Sequence, residues 1–203
     1  MNNFGEAVIL CGGKSSRMGF DKSLAKINGT FMIDVIRQRL CTVFESVKLC
    51  VSAVTPKEKF NCFGLPIIED VKEGGGPAVA ILSALLQSTT TYIFVVGCDM
   101  PFLNPAHISF MKNKIEDGEF PDACIPMNGS NIEPLYGFYS VNMIKMFDDE
   151  IDNGSYKIAT ILQKCNTMYL EEKNSRLFDN DLAMFTNLNY KKDFKDISLE
   201  VLP

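Results

Sequence analysis

Short apolar runs alternate with stretches whose apolar residues recur every three to four positions, and loops rich in glycine, proline and asparagine separate them. Ala7-Val8-Ile9-Leu10-Cys11 reads as a first strand followed by a glycine-rich loop. From about Phe31, the residues Met32, Ile36, Leu40 and Phe44 recur on one face, the spacing of an amphipathic helix. Val47 to Val51 and Pro66 to Glu69 predict two further strands. Gly74-Gly75-Gly76-Pro77 introduces a helix to about Gln87, with Pro77 suited to its first turn. Tyr92 to Gly97 is apolar throughout and too short for a helix, the pattern of a strand covered on both faces in a parallel sheet.

Asn104-Pro105 opens another helix, with Ile108, Met111 and Ile115 on one stripe. Asp122–Met127 and Ile132–Tyr139 predict two strands around the turn signal Asn128-Gly129. Val141 to Ile151 is helical, a shorter helix follows near Tyr156–Gln163, and a strand near Thr167–Leu170. This order predicts a single α/β domain, three layers α/β/α, around a mostly parallel, Rossmann-like central sheet. Ligands of such sheets sit beyond the carboxyl ends of the strands. The loops after Cys11, Glu69 and Gly97 are therefore the places to look for chemistry.

Composition narrows the classes. At 203 residues, 46% hydrophobic and 22% charged, the chain can bury a core. A formal net charge of −5 has the wrong sign for a nucleic-acid or anionic-membrane partner. The longest nearly apolar stretch, Ala78 to Leu86, is far short of the ~20 residues of a bilayer span, and the N-terminus lacks a secretory pattern. The seven cysteines contain no C-x-x-C pair, and several lie in apolar runs, which predicts reduced core thiols and a cytoplasmic protein. The single histidine, His107, reads as first-turn helix surface.

The first loop holds two adjacent glycines, Gly12 and Gly13, and is neither a P-loop nor a G-x-G-x-x-G turn. Residues 12–26 carry Lys14, Arg17, Lys22 and Lys26 against Asp21 alone, a positive segment in an acidic chain. Such a loop at a strand's carboxyl end suits phosphate oxygens, with arginine as a planar fork and lysine as a point charge. The competing reading is a solvated basic loop with turn glycines. Asp99 follows a buried apolar strand and suits a magnesium ion that takes one or two carboxylates and substrate phosphates. Its competing reading is a cap on the turn before Pro101. The glycine run 74–76 serves either close backbone approach to a ligand or plain connection.

In order, these features resemble the molybdenum cofactor guanylyltransferase family of nucleotidyltransferases. The pattern L-x-G-G-x-S-x-R-M-G-x-x-K spans Leu10 to Lys22. The likeness continues through Ile68-Glu69-Asp70, Gly76-Pro77, Cys98-Asp99-Met100-Pro101, Glu133-Pro134-Leu135 and Phe185-Thr186-Asn187-Leu188-Asn189. Three positions depart from the family's habit: Cys11 for alanine, Ser52 for an asparagine, and Ala78-Val79-Ala80 for Leu-Ala-Gly.

The resemblance implies a nucleotide-diphospho-sugar transferase type of fold across residues 1–203, with nucleotide bound by about 1–105 and acceptor by about 106–203. It implies GMP transfer from GTP to the terminal phosphate of molybdopterin cofactor, with Mg²⁺ and transient contact with molybdoenzyme maturation proteins. Leu10, Cys11, Gly12, Gly13, Lys22, Asp70 and Asp99 would bind nucleotide, and Asp99 would hold the metal. Arg17, Lys22 and Asp99 would carry the catalysis, and Asn187 and Asn189 would reach the acceptor or a second metal. The alternatives are another acceptor or base (molybdopterin cytidylyl or sugar-phosphate transfer) and a non-catalytic nucleotide-binding module.

Overall fold

The computed structural model describes residues 3–12 and 24–188. Gly13, Lys14, Arg17, Lys22 and Asn189 lie outside the described residues. The chain opens with β1 (Glu6–Leu10), then the hairpin of β2 (Lys26–Ile27) and β3 (Thr30–Phe31), α1 (Met32–Leu40) and β4 (Ser46–Val51). A 3-10 segment (Lys57–Phe63) leads to β5 (Ile67–Glu69), α2 (Pro77–Leu86) and β6 (Tyr92–Gly97). Next come α3 (Pro105–Asp117), β7 (Ala123–Asn128), β8 (Asn131–Ile132) and β9 (Tyr136–Ser140). The last elements are α4 (Ile144–Asp152), α5 (Ile158–Leu162), β10 (Thr167–Leu170), α6 (Glu172–Ser175) and a 3-10 turn at Ala183–Phe185.

Local chemistry explains most of these boundaries. α1 carries Asp34 in its first turn and Arg37 and Arg39 in its last, each of the sign that the helix dipole favours. α3 starts where the Asn104 side chain accepts from the His107 amide at 3.1 Å and where Pro105 sits in the first turn. β2 and β3 turn on Asn28-Gly29, both at positive φ, the conformation a tight hairpin demands.

Among the described residues the main sheet has the order β10-β7-β9-β6-β1-β4-β5, with β8 paired to β7. β1 runs parallel to β4 and β6, β4 to β5, and β10 to β7, whereas β9 runs antiparallel to both β6 and β7. Alternate residues of the central strands feed two cores. Ala7, Ile9, Phe94 and Val96 pack with Ile33, Ile36 and Leu40 of α1 and Ile108, Met111 and Ile115 of α3. Val8, Leu10, Ile93 and Val95 pack on the other face with α2, α4 and α5. The result is the three-layer α/β/α arrangement with a mostly parallel sheet.

Four expectations need correction. The run Ile132–Tyr139 is two strands, because Glu133-Pro134-Leu135 breaks it into β8 and β9. β6 is buried on both faces as its composition requires, yet one neighbour, β9, is antiparallel. Phe44 lies beyond the end of α1; it is buried and stacks on Phe94 at 5.7 Å.

His107 is not surface but fully buried. Its Nδ1 lies 3.4 Å from the Tyr136 hydroxyl and its Nε2 3.1 Å from the Ser175 hydroxyl, among Phe110, Phe178 and Phe185. Burial lowers its pKa to about 4, against a smaller upward pull from Asp179. A neutral imidazole bonded at both nitrogens, with Ser175 as fully buried as the ring itself, is a structural group.

The seven cysteines are free thiols, of which Cys11, Cys50 and Cys124 are buried. No helix among the described residues is long and apolar enough to cross a membrane.

Candidate active site

Four parallel strands end at one edge of the sheet. In register, Leu10 lies between Cys50 of β4 and Gly97 of β6, and Val51 pairs with Glu69 of β5. Backbone bonds carry this alignment into the loops. Cys11 N donates to Cys50 O at 2.7 Å, Asp70 N to Val51 O at 3.0 Å, and Cys98 N to Leu10 O at 3.1 Å. From β1 the chain adds β4 and then β5 on one side, and returns to the other side with β6. That reversal opens a crevice between the ends of β1 and β6, the position where such sheets bind nucleotides. Gly12 and Asp99 stand on its two sides.

Gly12 is exposed, and a Cβ built on it would come no closer than 3.8 Å to Ser52 N and 3.9 Å to Ser52 Cβ. Among the described residues, nothing bars a side chain at this position. Cys11 is buried, and its thiol points back to Ile9 O at 3.7 Å, so the loop can offer its backbone here while the sulfur packs inward.

Asp99 is half-buried in a tight turn, in which Met100 N donates to Gly97 O at 3.2 Å. Its Oδ1 lies 2.7 Å from where a Cβ on Gly97 would stand. The carboxylate thus folds back over the strand end, and a glycine at 97 makes room for it. Leu188 N donates to the Asp99 carbonyl at 2.8 Å, which brings the segment containing Asn187 to this tip. Asn187 itself is exposed, with Nδ2 3.4 Å from Phe185 O.

Asp70 stands two strands away, at the end of β5. The Cys50 thiol donates to its Oδ1 at 3.4 Å, and burial pushes its carboxyl up to about 6, only partly offset by that bond. Burial and the adjoining Asp70 charge push the Cys50 thiol upward as well, so the thiol stays protonated and serves as a donor.

The loop that follows is specifically shaped: Val71 N donates to Ser83 Oγ at 2.9 Å, and Lys72 pairs with Asp152 at 2.5 Å and with Asp148 at 3.3 Å. Gly74, Gly75 and Gly76 all have positive φ. These three residues form a bend into α2 that glycine alone adopts readily.

Among the described residues the structure thus gathers Leu10, Cys11, Gly12, Asp70, Asp99 and Asn187 at one edge. No group of three or more histidine, cysteine, aspartate or glutamate side chains among them could hold a metal unaided. Glu133, part of the family likeness but given no role in the sequence, precedes the antiparallel β9 and also reaches this edge, where Gly97 N donates to Leu135 O at 3.1 Å. Its signal was the Glu-Pro pair interrupting an apolar run.

Comparison with known proteins fits this geometry. Residues 7–167 match the MobA-like NTP transferase domain, which takes in the crevice and most of the sheet. The chain belongs to that family. Relatives at family level align from end to end. A probable molybdenum cofactor guanylyltransferase of Peptoclostridium acidaminophilum is 33% identical over 199 residues, 96% of this chain and 89% of its own. A molybdenum cofactor guanylyltransferase of Syntrophotalea carbinolica is 33% identical over 192 residues, 95% of this chain and 90% of its own.

The crystal structure of molybdopterin-guanine dinucleotide biosynthesis protein A from Archaeoglobus fulgidus superposes with a TM-score of 0.82 at 26% identity, covering 94% of this chain and 95% of that one. Membership of the MobA-like NTP transferase family makes the chain a nucleotidyltransferase.

Proposed function

We propose that this chain transfers GMP from GTP to the terminal phosphate of molybdopterin cofactor, releasing pyrophosphate and forming molybdopterin guanine dinucleotide. The observation that carries this reading is end-to-end kinship with guanylyltransferases together with a crevice that puts Gly12 opposite Asp99. An acceptor phosphate oxygen forms the new bond to the α-phosphorus. The bond from that phosphorus to the bridging oxygen breaks, and its electron pair leaves with pyrophosphate. Such transfer needs little covalent chemistry from the protein, so positioning and charge compensation do the work.

On this reading Gly12, with no side chain, lets the backbone approach the nucleotide, as Leu10 and Cys11 do beside it. Asp70 faces the nucleoside. Asp99 fits a magnesium ion provided that substrate phosphates and water complete the shell, which is how magnesium usually binds. Bound there, Mg²⁺ would neutralise charge on the triphosphate. Lys22 and Arg17, with Gly13, are assigned to the phosphates by sequence, and Asn187 and Asn189 to the acceptor side.

The decisive variant is Asp99→Asn, which keeps size and turn geometry but removes the charge. We expect GTP- and acceptor-dependent pyrophosphate release to fall by at least about a hundredfold, roughly 2.7 kcal/mol of transition-state stabilisation, with the melting temperature little changed. Wild-type turnover in the variant would refute the metal role. Base choice is read from melting shifts with GTP and CTP, where a ligand at 100 times its Kd stabilises by about 2.7 kcal/mol. An equal or larger shift with CTP would overturn the guanine assignment.

A further inference from the structure

We propose that Glu133 belongs to the acceptor subsite, its carboxylate accepting hydrogen bonds from the 2-amino-4-oxo-pyrimidine edge of the pterin. This rests on the function proposed above, which supplies a pterin as the second substrate.

The position follows from strand direction. β9 runs opposite to β6, and Tyr136, its first residue, pairs with Val96 near the end of β6. The residues just before Tyr136 therefore arrive at the edge that carries Asp99. They are held firmly there. Glu133 N donates to Pro126 O at 2.9 Å, Tyr136 N to Glu133 O at 3.0 Å, Gly97 N to Leu135 O at 3.1 Å, and the Tyr139 hydroxyl to Pro134 O at 2.6 Å. Three backbone bonds and the Tyr139 hydroxyl thus fix this loop without drawing on the Glu133 carboxylate.

The carboxylate is half-buried, and Oε1 accepts from Asn128 Nδ2 at 3.2 Å. No cation pairs with it among the described residues. Burial accordingly raises its pKa, the mark of a carboxylate short of donors. A ligand offering two N–H groups side by side would relieve that deficit through charge-assisted hydrogen bonds.

Placement adds a second argument. Counting strands from β1, Asp70 follows the strand two columns away on one side, and Glu133 precedes the strand two columns away on the other. At about 4.8 Å per strand the two columns stand roughly 19 Å apart, with the crevice between them. Guanine and pterin share the same 2-amino-4-oxo-pyrimidine edge. One poorly paired carboxylate on each side of the transfer point suits a reaction that links two molecules, each carrying such a ring, through their phosphates.

The test uses the full chain, with and without saturating GTP, titrated by fluorescence with 6-hydroxymethylpterin and with 6-hydroxymethyllumazine, which has an oxygen in place of the 2-amino group. We expect the wild type to bind the pterin at least tenfold more tightly than the lumazine with GTP present. Glu133→Gln should reduce that preference to within twofold while GTP affinity and melting temperature stay near wild type; Glu133→Met provides a second variant of similar size. A wild type without preference for the pterin, or a folded Glu133 variant that retains it, would overturn the proposal. Failure of the guanylyl-transfer reading shows separately, as absence of GTP-dependent pyrophosphate release from a wild type that still discriminates the two pteridines.

Discussion

At the scale of single residues, Asp70 shows the tension between binding and stability. With its pKa raised to about 6, the folded chain holds the proton more tightly than the unfolded chain does. The stability this gives is complete below the ordinary aspartate pKa and is lost as pH rises through about 6, so at neutral pH the ionised carboxylate is a burden. Asp70→Asn should therefore raise the melting temperature at pH 8 by a few degrees, on the order of 1 kcal/mol for a chain of this size, and the gain should vanish below about pH 4. GTP affinity should fall in the same variant. Melting curves at the two pH values, with and without GTP, check both halves. A variant less stable at pH 8 than wild type would contradict this account.

Elements make different demands on their glycines. Gly75 has a φ of +74°, and a Cβ there would lie 2.4 Å from Val79 Cγ2 and 2.7 Å from the Tyr156 ring. Gly75→Ala should cost on the order of 1–3 kcal/mol through backbone strain and overlap, and lower the melting temperature accordingly. Among the described residues, a Cβ on Gly12 would meet nothing closer than Ser52 N at 3.8 Å. On the proposed function, Gly12→Ala should change melting little and weaken GTP binding, because a methyl group there would hold the nucleotide away from the backbone. Paired melting and GTP titrations of both variants separate a glycine kept for the fold from one kept for the substrate.

The same contrast decides what could be read from sequence. Strongly periodic or wholly apolar segments such as α1, α3, β1 and β6 announce themselves, because burial of a face or of both faces dictates their pattern. The loops of the crevice followed from strand ends and from family likeness. His107 escaped because its burial comes from Ser175 and Phe178, some 70 residues later, and no local pattern reports such a contact. The hairpin of β2 and β3 has its signal in Asn28-Gly29, but strands of two residues carry too little alternation to stand out beside the glycines and charges of the first loop. Glu133 required the direction of β9, a tertiary fact.

The whole molecule is tied together by β9. This strand from the later half of the sequence lies directly against β6 from the earlier half, and β7 then builds on β9. Neither half owns a complete sheet. Unfolding should therefore be a single cooperative transition, coincident by far-ultraviolet and near-ultraviolet circular dichroism, and GTP should move all of it upward together. Two separated transitions, only one of them moved by GTP, would show that the halves fold independently.

The late arrival of β9 also matters while the chain is being made. β6, buried along its whole length in the finished protein, leaves the ribosome about 40 residues before its second neighbour. At synthesis rates of about 5–20 residues per second, that interval is on the order of 2–8 s. During it, β6 can pair with β1 on one side, but its other edge is open, with a row of unmet amide and carbonyl groups beside the most apolar stretch of the sheet. Such an edge is a template for pairing with a neighbouring nascent chain. The strand that completes the reaction edge is thus also the one whose delay exposes the newborn protein to aggregation, and whatever slows translation between residues 97 and 140 prolongs that exposure.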